Sequence, residues 1–145
     1  MKLLISEVIK KASNSKTKAE KIKILQENNS QALRSVLKWN FEPAIVSDIP
    51  EGDVPFKRND APIGTEHTTL ATESSKLWHF IKGGDGQTPQ WKKEQMFVQM
   101  LEGLHQTEAE LLINAKDKKL HQVYKGLSTN VVMEAFGWNE EFKLP

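Results

Sequence analysis

No cysteine occurs in this 145-residue chain. A disulfide framework, a thiolate zinc site and a cysteine nucleophile are therefore excluded together. The absence is compatible with a reducing cytosol and is equally allowed outside one. Long hydrophobic runs are missing too: no stretch approaches the roughly 18 apolar residues that a membrane span needs. The opening Leu3, Leu4 and Ile5 are interrupted by Ser6 and Glu7. No secretory leader is expected from so short an apolar run. Net charge is only +1, far from the strongly basic balance of a dedicated nucleic-acid domain.

What is present suits one folded domain. The chain is 38% hydrophobic, 8% aromatic and 27% charged, enough apolar content for a real core and against intrinsic disorder. Its charge is unevenly placed. Residues 1–58 hold 11 Lys/Arg against 7 Asp/Glu, whereas residues 59–145 hold 9 against 12. Seven lysines and two carboxylates precede Ile24.

Apolar spacing predicts helices throughout. Leu4, Ile5, Val8, Ile9 and Ala12 form the stripe of a first helix over about 3–12. Thr17 and Glu20 fit a capping box that opens a second, with Ile22, Leu25 and Ala19 facing inward. Asn28 and Asn29 end it, and Ser30 caps a third with Leu33, Val36 and Leu37 inside. Pro43 is placed to open a short helix over 44–49. Residues 50–67 carry three prolines and two glycines, and read as a surface loop or as the join between two helical halves. Leu70, Ser74, Leu77, Trp78 and Ile81 predict the inner face of a further helix. KGGDGQ, 82–87, reads as a flexible turn, and Thr88-Pro89 as the cap and first-turn proline of a helix to Gly103. Thr107 and Glu110 fit another capping box, with Leu111, Leu112 and Ala115 inside and cations closing the helix at 116–119. A last helix over 128–136 stops at Gly137. The expected fold is all-α: one domain of about seven or eight short helices. It is divisible into a basic helical segment over residues 1–49, a loop over 50–67 and a second helical segment over 68–145.

Catalytic sets are not found. His67, His79, His105 and His121 stand 12, 26 and 16 positions apart, which is not the i, i+4 spacing of helical metal ligands. His79, beside Trp78, reads as a partly buried structural residue. GGDGQT lacks the strand before it and the lysine after it that a phosphate-binding loop requires. The pair Glu108 and Glu110 is explained by the positive end of a helix, and Glu140/Glu141 lie in the tail. No enzyme, cofactor or metal is expected.

The lysines remain. Lys10, Lys11, Lys16, Lys18, Lys21 and Lys23 cluster around the turn between the first two helices, with Arg34 and Lys38 placed to extend the patch. Such an edge suits a phosphate backbone, with Trp39 or Phe41 as stacking surfaces; a solvated face is the plainer reading, and Trp39 reads as core. At the other end, Trp138, Phe142 and Leu144 suit a protein partner as aromatic and apolar anchors, or else staple the last helix.

EVIKKASNSKTKAEKIKILQENNSQALRSVLKWNFEP, residues 7–43, resembles the opening of the ATP-dependent DNA ligases of tailed phages. In those ligases such a helical pair begins the N-terminal DNA-binding domain. The adenylation motif is absent here, so the resemblance implies only DNA contact by Lys16, Lys18, Lys21 and Lys23. The segments 32–52, 96–120 and 124–138 are similar to a family of small uncharacterised proteins of tailed phages of marine bacteria. That likeness implies a viral origin and the host cytoplasm, with no activity attached. The leading expectation is a non-enzymatic DNA-binding or DNA-metabolism accessory protein. The alternatives are an adaptor for a host or phage replication or transcription protein, and a structural virion component. No membrane partner is expected, and oligomeric state is left open.

Overall fold

The computed structural model describes residues 3–52, 54–56 and 68–139. They form eight α-helices and one 3₁₀ helix. The helices are α1 (Ile5–Asn14), α2 (Lys18–Glu27), α3 (Gln31–Phe41), α4 (Leu70–Glu73), α5 (Gln90–Gly103), α6 (Gln106–Lys116), α7 (Leu120–Val123) and α8 (Thr129–Phe136), with the 3₁₀ helix Ser74–Phe80 following α4. The expectation of an all-α fold holds. Much of the expected 50–67 loop lies outside the described residues.

Capping explains most boundaries. The Thr17 and Ser30 hydroxyls accept from the Glu20 and Leu33 amides at 3.2 and 3.1 Å, and Ser128 does the same for Val131. Each satisfies a first-turn amide that has no helical partner. Gly137 closes α8 in the left-handed region at φ 66°, a conformation that a Cβ disfavours. The first stripe also holds, with Ile5, Val8, Ile9 and Ala12 buried. In α2, Leu25 is buried, Ile22 half-buried and Ala19 exposed.

α3 packs on α6, α4 and the 3₁₀ helix, while α2 bridges α1 and α8. Trp39 of α3 meets Phe97 of α5 edge-on at 6.4 Å, and Phe80 meets the same ring at 5.1 Å. Edge-to-face geometry of this kind is the preferred aromatic arrangement. Trp39 is therefore core, 1% exposed.

Four local expectations are corrected. No helix forms over 44–49: Ser47 bridges to Ile81, and the Asp48 and Lys82 amides donate to the Phe80 and Val46 carbonyls at 2.6 and 2.8 Å. Ile45 and Val46 are β-branched and suit that extended pairing. The helix expected through Ile81 turns 3₁₀ at Ser74. Its three-residue turn places Leu77 and Phe80 on one line into the core and leaves Trp78 exposed and Ile81 half-buried. α5 starts one residue later than expected, with Pro89 at the cap, and the Thr88 amide before it donates to the Asp85 carboxylate at 3.0 Å. α6 starts at Gln106 with His105 as its cap, so Thr107 lies inside the helix.

The 82–87 segment is anchored rather than free. The Asp85 carboxylate accepts from the Gln87 and Thr88 amides and pairs with His79 at 2.7 Å. The Lys93 ammonium, buried, bridges the Asp85 carbonyl and the Asp48 carboxylate. His79 is the partly buried structural residue expected of it.

Candidate nucleic-acid interface

Glu108 positions α1. Its side chain is fully buried; Oε2 accepts from the Ile5 amide at 3.1 Å and Oε1 from the Leu70 amide at 3.0 Å. One carboxylate in the first turn of α6 thus satisfies the leading amides of α1 and α4, where the helix dipoles favour negative charge. Beside it, the Ser6 and Thr107 hydroxyls are hydrogen-bonded at 2.9 Å.

The far end of α1 is pinned by a different contact. The Gly126 amide donates to Ser13 Oγ at 3.1 Å. A Cβ on Gly126 would stand 2.0 Å from the Ser13 carbonyl oxygen, so only glycine permits this approach. Between the two pins run two adjoining depressions of about 470 and 460 Å³, which share Lys10, Asn14, Thr107 and Tyr124. Lys11 and Glu7 border the first and Lys125 the second. The Glu7 carboxylate is occupied by the Leu4 amide at 2.9 Å. Burial, and then the negative charge of Glu110, push the half-buried Tyr124 hydroxyl above its ordinary pKa. It therefore stays a neutral donor at pH 7.

The fold sorts the lysines anticipated from sequence. Lys10 and Lys11 are exposed on the groove. Lys16 is exposed in the α1–α2 link, and Lys21 is half-buried on α2. Lys18 is paired with Glu134 of α8 at 2.8 Å, and Lys23 lies 3.9 Å from Glu27. Among the described residues, Lys10, Lys11, Lys16 and Lys21 make no ion pair. Arg34 donates to the Asn29 side chain, and Lys38 sits 5.0 Å over the Trp138 ring; neither borders the groove. Lys125, Tyr124 and Thr107 escaped sequence reasoning. The only signal was the juxtaposition Tyr124-Lys125-Gly126 around the chain's single tyrosine.

Trp138, anticipated as an exposed anchor, is buried at 9% exposure against Phe136 at 4.8 Å. It staples the end of α8. Phe142 and Leu144 lie outside the described residues. The exposed tryptophans are instead Trp78 and Trp91, at 49% and 67%.

No group of three or more potential ligands for a metal ion occurs among the described residues, and no described helix is long and apolar enough to cross a membrane. No curated protein and no solved structure matches the chain. Residues 8–122 match the model of DUF6433, and the chain thus belongs to this family of unknown function.

Proposed function

We propose that the chain is a non-enzymatic accessory protein that grips the backbone of DNA along the groove between α1 and the 124–126 turn. The observation that carries this reading is the placing of Lys10 and Lys11 with Lys125 along two adjoining depressions that share Lys10 and the half-buried Tyr124. Ammonium groups spaced along a groove neutralise successive phosphates, and release of counterions supplies the affinity. The likeness of residues 7–43 to the DNA-binding opening of phage ligases supports the same reading, as does the setting we infer, the cytoplasm of an infected host. Lys16 and Lys21 extend the basic edge, whereas Lys18 and Lys23 are partly neutralised by Glu134 and Glu27.

The test is binding of the folded protein to short single- and double-stranded DNA across a salt series. Affinity is expected to fall log-linearly with salt, and each of Lys10→Glu, Lys11→Glu and Lys125→Glu to reduce the slope by about 1. Lys23→Glu is expected to do less. Unchanged affinity in the folded triple variant overturns the proposal.

A second reading, a protein–protein adaptor, is favoured by Trp91 in the first turn of α5, two-thirds exposed. Exposed tryptophans are frequent binding hot spots. On this reading Trp91→Ala abolishes capture of a phage or host replication protein while leaving stability unchanged.

A further inference from the structure

The groove between α1 and the 124–126 turn is not lined by cations alone. Five large apolar side chains are exposed among the described residues, and two of them lie here. Leu3, 42% exposed, lines the first depression, and Val123, 55% exposed, lines the second. The half-buried Tyr124 lines both. The exposed Asn14, also shared, adds an amide that can donate and accept. A single exposed apolar residue needs no explanation, whereas several gathered with cations in one concavity do.

A DNA duplex matches only half of this lining. Its phosphates face outward and its base faces are stacked inside, so Leu3 and Val123 would be covered by a charged, hydrated backbone with no apolar surface in return. An unpaired strand offers both kinds of surface: phosphates, and the planar faces of bases free to splay apart. Stacking on an aromatic side chain is tolerant of sequence, because every base has a π-face. The charges agree with such a ligand. Among the described residues Glu7 is the one carboxylate that lines either depression, against Lys10, Lys11 and Lys125, and it is held by the Leu4 amide.

We propose that the groove selects single-stranded DNA over duplex, with Lys10, Lys11 and Lys125 on phosphates and Leu3, Tyr124 and Val123 covered by unstacked bases. The inference rests on the backbone reading of the same groove. It adds to that reading the state of the strand and the residues that sense it. The lysines supply affinity for either form, because both carry phosphates, and the three apolar and aromatic residues supply the discrimination.

The experiment is fluorescence anisotropy of the full chain with three labelled probes of equal length: an oligothymidylate, the same backbone carrying abasic sites, and a duplex. At one salt concentration the oligothymidylate is expected to bind about tenfold more tightly than the abasic strand, the scale of one stacked base, and more tightly than the duplex. Val123→Ser, at an exposed position, is expected to weaken the oligothymidylate several-fold while leaving the abasic strand and the salt slope unchanged. Tyr124→Leu is expected to remove most of the tenfold preference; because Tyr124 is half-buried, Val123→Ser carries the test if that variant does not fold. Lys125→Glu is expected to weaken both strands together and to lower the slope. Equal binding of the base-bearing and abasic strands, or tighter binding of the duplex, with salt dependence intact, overturns the selection and leaves the backbone reading standing. No salt-dependent binding of any probe overturns both. Displacement of the oligothymidylate by an alternating Glu–Leu peptide at lower concentration than by the unlabelled strand overturns the selection in favour of an acidic protein partner.

Discussion

Glu108 holds two helices by their first amides from a fully buried position. A carboxylate there accepts in two directions, which a neutral amide cannot do. Glu108→Gln keeps one acceptor and turns an N–H donor toward an N–H donor. Urea denaturation is expected to show a loss of about 3 kcal/mol, the usual scale for breaking a buried charged network. Asp85 is the second residue of this kind. Its hydrogen bond to His79, followed by those from Thr88 and Gln87, holds its carboxyl well below the ordinary 3.8. A depressed folded pKa favours the folded state above the unfolded value, and that stability is lost as pH falls. Stability is therefore expected to decline as pH drops below about 3.8, and Asp85→Asn to flatten that decline in acid titrations followed by circular dichroism.

At the scale of elements, two glycines do different work. Gly137 ends α8 in a left-handed turn, and Gly137→Ala is expected to cost about 1 kcal/mol, read as a lowered thermal midpoint. Gly126 has no left-handed requirement; its role is contact. Gly126→Ala forces a methyl into the Ser13 carbonyl, so the 124–127 turn must move away from α1. The expected result is about 1–3 kcal/mol of destabilisation, the usual cost of overpacking, together with weakened DNA binding. Elements also show where sequence periodicity misled. Ser74, Leu77, Trp78 and Ile81 have α-helical spacing, but the observed turn is three residues long, with Leu77 and Phe80 buried, Phe80 edge-on to Phe97 and Trp78 outside. The 44–49 stretch had a proline suited to a helix start, yet pairing with Ile81 won.

Across the whole molecule, α8 closes the bundle by packing on α2, and Trp138 fastens that closure under Lys38. Trp138→Ala is expected to lower stability by roughly 3 kcal/mol, as large-to-small core changes do, measured by chemical denaturation. The same closure pairs Lys18 with Glu134, so some of the basic cluster serves the fold. Local rules were enough for the all-α class, for the caps at Thr17 and Ser30, and for the stop at Gly137, because each depends on a few neighbouring residues. They were also enough to mark Lys10 and Lys11 as a basic edge. Only the tertiary structure could bring Lys125 and Tyr124 beside α1, turn Glu108 inward, bury Trp138 and leave Asn40 with an orphan donor. Those outcomes depend on contacts between residues roughly a hundred positions apart, such as Ser13 with Gly126, and no periodicity or motif along the chain encodes a meeting at that distance.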